Sequence, residues 1–487
     1  MKKARNELLV TCLKGKCRLA LLEDGEVVEV YIEKSRRKSV VGNIYIGRIT
    51  SVLPGMSAAF VDIGVGKNAL LYLQDLVFME DGSHVKPRKI SKVLKASDTI
   101  VVQVTKDPMG SKGARLTTYL SLPGRMMVYM PQSRRSGVSR KLPEKERERL
   151  RKIAREVRPE HGSTIIRTAA ARARKKDLEE DLTYLVEQWE KTQRRINGGA
   201  KPPTLVYQEP DLAVKVVRDT VTREFKSVLV DSRSEYDRIK NYLSTASPEL
   251  KDRVQLYKDS QPMFSRYGVD QAIQAALRRK VPLPSGGHIV IDEVEAMTAI
   301  DVNTGSYTGK KSLEDTVLKT NMEAAVEVVK QLRLRDIGGI IVIDFIDMEN
   351  PDNKKKVLDI LEHELEKDRT KTQVVTLSPL GLVEMTRKNV TEGLAETLGK
   401  TCPRCEGRGL VFEEEKRDEG KAPSVKASSG RAPSGRGSGR APSGRESSVK
   451  VTSGSESSGN APSAREPSGG ESSGNAPSGG ESSVKDR

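Results

Sequence analysis

The stretch Gly338-Gly339-Ile340-Ile341-Val342-Ile343-Asp344-Phe345-Ile346-Asp347 is a continuous apolar strand that ends in acid. An ionised carboxylate in such a setting is costly unless it is paired, hydrogen-bonded or bound to a metal. Upstream, Met297-Thr298-Ala299-Ile300-Asp301-Val302-Asn303 sets a second acid behind an apolar pair. The two-residue period of a strand puts Asn303 on the same face as Asp301. Two strand-end carboxylates and an amide make a hard-oxygen set suited to Mg²⁺, which takes few protein ligands and keeps its waters. Such an ion can activate water and neutralise charge on a phosphodiester. The same residues also allow a plainer arrangement, with either Asp capping a helix or pairing with a neighbouring Arg.

Around this stretch, residues 287–397 alternate apolar strands (HIVIDEVEAMTAIDVN, GGIIVIDFIDM, TQVVTLS) with amphipathic helices over 315–333 and 353–367, which predicts an α/β layer. Residues 44–73 read as short β-branched and aromatic strands broken by Gly and Pro, the pattern of a small all-β barrel. Further strands are expected at 101–104 and 120–122. Residues 131–176 then hold 16 basic and 5 acidic residues, with helical spacing over 144–158. The segment 204–276 looks mixed, with strands expected near 212–217 and 227–230 and a helix through 235–243.

Composition narrows the class. The chain has 487 residues, room for about three domains. Its 84 Lys and Arg outnumber 67 Asp and Glu, giving a net charge of +17 and pointing to a polyanionic partner. Hydrophobic residues reach only 36%, below the roughly 45% of globular chains, so part of the chain is expected not to pack. Residues 421–487 account for much of this: they contain 19 Ser, 12 Gly and 6 Pro, and repeat APSGR, ESSGNAPS and ESSVK. Such a segment buries too little apolar area to offset its ordering entropy, so a disordered tail is expected. The tail carries +4, leaving +13 for the rest. The apolar runs are shorter than the about 20 residues a bilayer requires, and no signal peptide is evident, so a soluble protein of a reducing compartment is expected.

Four Cys cannot form a disulfide framework, and Cys12 and Cys17 are expected as reduced thiols. Cys402-Pro403-Arg404-Cys405 has the spacing of a zinc half-site, which a second chain can complete; a redox pair is the competing reading.

The phrases AIDVNTGSYTG, QLRLRDIGGIIVIDFIDM and TCPRCEGRG are similar, in wording and order, to the catalytic half of the ribonuclease E/G family of bacterial endoribonucleases. The match extends upstream through NIYIGRIT, AAFVDIG, IIRTAA and VPLPSGGHIVID, and covers roughly residues 5–412. In length the chain is nearer the G branch than the E branch. The resemblance implies an enzyme that cuts single-stranded RNA by hydrolysis, leaving a 5′-phosphate and a 3′-hydroxyl, in rRNA and mRNA processing and decay in the cytoplasm. Asp301 and Asp344 would hold the catalytic Mg²⁺, and Asn303 would orient an Asp, the attacking water or the phosphate. Cys402 and Cys405 would form a CPxC knuckle sharing one Zn²⁺ between two chains, giving a homodimer or a higher oligomer.

The resemblance also implies a multidomain α/β fold with a β-barrel. Residues 1–35 and 210–276 would form a ribonuclease-H-like domain, interrupted by an OB-fold RNA-binding barrel at 36–118 and a 5′-phosphate sensor region at 119–209. A deoxyribonuclease-I-like catalytic layer at 277–397, a zinc-link at 398–412 and the low-complexity tail at 413–487 would follow. In the barrel, Phe60 matches the family's stacking aromatic and Lys106 and Lys112 its basic contacts. Where relatives commonly carry a second Phe, this chain has Leu70, and Tyr45 or Tyr72 compensates only if it faces the groove. Phe60 is alternatively a barrel-core residue. In the sensor region, Arg167 and Thr168 would hold a 5′-monophosphate, Gly124 and Val128 would bring backbone to the terminal nucleotide, and Arg140 would add a contact. A non-catalytic RNA-binding or ribosome-associated protein is the alternative, in which the acids are structural; a deoxyribonuclease is a further one.

Overall fold

The computed structural model describes residues 6–411, apart from 14–15, 34–38, 81–82, 86–88, 109–111, 135, 306–312, 379–380, 389–391, 406 and 408. The low-complexity tail therefore lies outside the described residues, as do two positions of the TCPRCEGRG phrase.

Two segments far apart in sequence share the first sheet. Its order is Val254–Leu256, Phe225–Val230, Asn6–Leu13, Lys16–Glu23, Glu26–Glu33, parallel over the first three strands and antiparallel over the rest. Helices Leu212–Thr220 and Arg233–Ala246 cover one face around Leu8, Val10, Val217 and Val228, and Val269–Ala276 packs on the other. The 212–217 segment is thus a helix rather than the expected strand. Its valines suggest β structure locally, but Ala213, Val214 and Val217 fall on one helical face and are buried against the sheet, so tertiary packing overrides propensity. Cys12 and Cys17 stand opposite each other across the first hairpin, with Cα atoms 4.1 Å apart, and are joined as a disulfide. This corrects the expectation of two thiols, which considered their spacing but not their register.

Strands Ile44–Leu53, Ala58–Asp62, Ala69–Tyr72, Arg115–Thr117 and Thr99–Lys106 close into a five-stranded barrel, because Thr99–Lys106 pairs back onto Ile44–Leu53. Ala59, Val61, Leu71, Val102 and Val104 fill its interior. Of the expected 120–122 strand, only Leu122–Pro123 is extended, and it belongs to the next unit. That unit is a four-stranded sheet of Leu122–Pro123, Met127–Met130, Ser163–Ile166 and Gly137–Val138, covered by helices Glu144–Glu156 and Lys175–Asn197.

The last sheet has six strands, in the order Lys280–Pro282, His288–Glu293, Met297–Asn303, Gly339–Asp344, Leu382–Arg387, Thr372–Leu377. All neighbours are antiparallel except Met297–Asn303 and Gly339–Asp344, which are parallel and joined through helix Leu313–Arg335, as a parallel pair requires. Ile300, Val302, Ile341 and Ile343 point beneath that helix and helix Pro351–Leu365, each buried aliphatic contributing about 1.5–3 kcal/mol. The alternate residues Met297, Ala299, Asp301, Ile340 and Asp344 are exposed on the other face. Among the described residues, no helix is long and apolar enough to cross a membrane.

Candidate active site and nucleic-acid interface

Asp301 and Asp344 are direct register partners on the parallel strands Met297–Asn303 and Gly339–Asp344. Neighbouring strands are about 4.8 Å apart, so two carboxylates in one register and on one face can bind the same small cation. Asn303, two residues beyond Asp301, donates from Nδ2 to Asp301 Oδ2 at 2.7 Å. Backbone crowding steadies this end of the strand: a Cβ on Gly287 would lie 2.7 Å from the Asn303 carbonyl oxygen. His288 is the register partner of Asn303; burial and the Lys280 charge lower its pKa, with Asp301 opposing.

A third acid of this face, Asp292, is gripped by the Arg279 guanidinium. Among the described residues neither Asp301 nor Asp344 forms an ion pair, and neither caps a helix, so the plainer reading of these two acids finds no support there. Among the described residues no group of three or more His, Cys, Asp or Glu is placed so that it could hold a metal ion. Two carboxylates with an amide nonetheless suit an ion that retains most of its water.

On the barrel, Phe60 alternates with the buried Ala59 and Val61 and therefore points outward, half-buried, rather than into the core. Register builds a row across four strands: Phe60 opposite Leu70, Leu70 beside Arg115, and Arg115 opposite Lys106. Leu70 thus stands beside Phe60. Tyr45 is buried in the barrel core and offers no platform. Tyr72 shares the outer face, but its ring already carries the Arg115 guanidinium 5.0 Å from its centroid, and Arg115 also forks onto Asp75. Lys106 and Lys112 are exposed.

Directly after strand Ser163–Ile166 of the four-stranded sheet, Arg167 Nη1 donates to the Gly124 carbonyl at 2.5 Å and to Asp219 Oδ1 at 2.6 Å. The Arg167 amide bonds the Met126 carbonyl, and Thr168 Oγ1 lies 2.8 Å from Ser139 Oγ. The Gly124 turn is organised by buried Asp181, which accepts from the amides of Arg125, Met126 and Met127. A Cβ on Gly124 would lie 2.7 Å from that carboxylate, so the position requires glycine. Burial raises the Asp181 pKa although the three amides oppose it. Val128 lies on the adjacent strand Met127–Met130, and Arg140 is exposed on the turn before helix Glu144–Glu156. Arg167, Thr168 and Gly124 are brought together.

The Ribonuclease E/G family profile matches residues 121–390. Ribonuclease G of Escherichia coli (strain K12) is 45% identical over 415 residues, covering 83% of this chain and 84% of that protein. Ribonuclease G of Haemophilus influenzae is 42% identical over 414 residues, with the same two shares covered. The chain belongs to the ribonuclease E/G family.

Ribonuclease E of Haemophilus influenzae is also similar, at 36% identity over 82% of this chain but only 43% of that protein. Within this family member, sequence reasoning missed three residues that position predicted ones. Arg115, Asp181 and Asp219 are single polar residues with no local motif, and only strand register and packing bring them to Leu70, Gly124 and Arg167. Cys402 and Cys405 are free thiols on one turn, Cys402 exposed. Backbone N–H groups of Cys405 and Arg404 directed at the Cys402 sulfur, together with the Cys405 side chain, lower its thiol pKa. Two thiols supply half of a tetrahedral zinc site.

Proposed function

We propose that this endoribonuclease hydrolyses single-stranded RNA to 5′-phosphate and 3′-hydroxyl ends, with Mg²⁺ held by Asp301 and Asp344. The supporting observation is the shared register of these two carboxylates on the open face of the sheet, with no ion-pair partner among the described residues and with Asn303 bonded to one of them. A divalent cation bound there would supply Lewis-acid neutralisation of phosphodiester charge. The Asn303 amide fixes the orientation of the Asp301 carboxylate and leaves its carbonyl oxygen as an acceptor for a proton-bearing group such as the attacking water. In this reading an extended strand of RNA lies on the face that carries the two acids, and the 277–397 layer is the deoxyribonuclease-I-like catalytic unit.

The barrel at 36–118 serves as an OB-type RNA-holding module, in which Phe60 stacks on a base and Lys106 and Lys112 attract the backbone. The sensor region at 119–209 favours a 5′-monophosphate, received by Arg167, Thr168 and the backbone at Gly124 and Val128, with Arg140 nearby. The first sheet, from 1–35 and 210–276, is the ribonuclease-H-like scaffold. Cys402 and Cys405 in the 398–412 link hold one Zn²⁺ with the same pair of a second copy, making a homodimer. The setting is the cytoplasm, with rRNA precursors and mRNA as substrates.

The deciding experiment incubates the purified chain with a short single-stranded RNA and Mg²⁺, maps the new ends, and repeats the assay with Asp301→Asn. Cleavage that yields 5′-phosphate ends and is lost in the variant supports the reading. Full cleavage by the variant overturns it, and binding without cleavage by the unaltered chain would favour a non-catalytic RNA-binding protein.

A further inference from the structure

Lys141 makes an unusual contact for a basic residue in a basic segment. Its Nζ donates to three successive backbone carbonyls, those of Asp368, Arg369 and Thr370, at 3.0, 2.9 and 3.1 Å. An ammonium has three N–H donors, and each has an acceptor here. The partners lie 227 to 229 residues away, on the turn between helix Pro351–Leu365 and strand Thr372–Leu377 of the catalytic sheet. Burial lowers the Lys141 pKa, Asp368 opposes this, and the Arg387 charge adds to it.

Both ends of this contact are anchored. On the sensor side, the Lys141 amide approaches Ser139 Oγ at 3.4 Å; Ser139 in turn bonds the Ile166 carbonyl through its amide and Thr168 through its hydroxyl. Those two residues flank Arg167. On the catalytic side, the carboxylate of Asp368 receives buried Arg387 at 2.7 Å, and Arg387 also bonds Asp336 and the Ile337 carbonyl. Arg387 is the register partner of Gly339, the first residue of the strand that ends in Asp344. A bonded path therefore runs from the residues around Arg167 to the strand that carries a catalytic carboxylate.

We propose that Lys141 is a positioning residue that sets the spacing between the 5′-phosphate pocket and the catalytic carboxylates, so that an RNA held by its 5′ end presents its scissile bond in register. This rests on the proposed 5′-phosphate pocket and adds what gives that pocket its value for catalysis. Anchoring one end of a substrate raises the effective concentration of the rest at a second site only if the distance between the sites is held. An RNA that does not use the pocket gains nothing from the clamp. Lys141 therefore affects the advantage of a 5′-monophosphate and not the basal reaction.

The test compares kcat/KM of the full chain for one RNA sequence bearing either a 5′-monophosphate or a 5′-hydroxyl, in the unaltered protein, Lys141→Met and Lys141→Arg. The expected result is a monophosphate advantage that falls by about tenfold in Lys141→Met. Unchanged cleavage of the 5′-hydroxyl RNA and partial recovery in Lys141→Arg, which keeps cationic donors, complete the expectation. A full advantage retained in Lys141→Met overturns the clamp while leaving the pocket intact. No advantage in the unaltered protein overturns the pocket and the clamp together. An equal loss with both RNAs also overturns the proposal, since it assigns Lys141 a general structural role. Should Lys141→Met not fold, Lys141→Gln takes its place and is read in the same way.

Discussion

Asp301 and Asp344 occupy the same register on neighbouring parallel strands, so both carboxylates leave the sheet on its open face. Each strand end alone has an ordinary exposed acid. Together they form a site of two negative charges with no ion-pair partner among the described residues, while Asp292 of the same face is neutralised by Arg279.

Replacing either acid by its amide keeps size and shape and removes charge. Asp301→Asn or Asp344→Asn should lower kcat by about 100-fold or more, since several kcal/mol of charge stabilisation is lost at about 1.36 kcal/mol per decade. Both positions are exposed, so thermal unfolding should move by no more than about 0.5 kcal/mol. Single-turnover cleavage and a melting curve on the same preparation check both parts.

The outward face of the barrel makes a separate prediction. Phe60→Ala should weaken binding of short single-stranded RNA by about 1–3 kcal/mol, the worth of one stacked base, without unfolding the barrel. Leu70→Phe places a second ring beside the first and should tighten binding. Fluorescence anisotropy with labelled RNA reads both; unchanged binding by a folded Phe60→Ala would remove the stacking role.

Arg167 is held by the Gly124 carbonyl and Asp219, which aims a planar guanidinium. Arg167→Lys keeps the charge but loses the fork, and should bring cleavage rates of 5′-monophosphorylated and 5′-hydroxyl RNA closer together. A ratio equal to that of the unaltered protein would show that the fork is not used.

Acid stability should depend on Asp177. Arg174 bonds its carboxylate and Arg223 adds a further charge, bringing its pKa down to about 2 although burial opposes this. A depressed pKa contributes stability above the unfolded value near 3.9, and this is lost as pH falls towards 2. Asp177→Asn should therefore destabilise the protein at pH 7 by something on the order of 2 kcal/mol. The difference should shrink as denaturant melts are repeated from pH 4 downwards.

Zinc and dimerisation should be lost together. Cys402→Ser removes one of two thiols per chain, and native mass spectrometry should show one zinc per dimer for the unaltered protein and a zinc-free monomer for the variant. A metal-free dimer of the unaltered protein would sink the link.

The chain alone determined that Gly339–Asp344 is a strand, because a β-branched run between glycines and acids leaves few alternatives, and it placed Asp301 and Asn303 on one face by parity; that only one face of the strand is buried, with Ile340 exposed on the other, was decided by packing. The ordered phrases also carried the family. Local pattern failed at Leu212–Thr220, where valines suited to a strand form a helix because a sheet lies beneath them. It could not tell whether Phe60 points into the barrel, since alternation defines two faces without saying which is inside. Nor could it single out Arg115, Asp219 or Lys141, ordinary charged residues until folding sets them beside Leu70, Arg167 and the 368–370 carbonyls. Most elements follow from short-range spacing, so local sequence determines them, with Leu212–Thr220 the exception set by packing. Which carboxylates, cations and carbonyls meet depends on register and packing between segments up to hundreds of residues apart, and only the tertiary structure decides that.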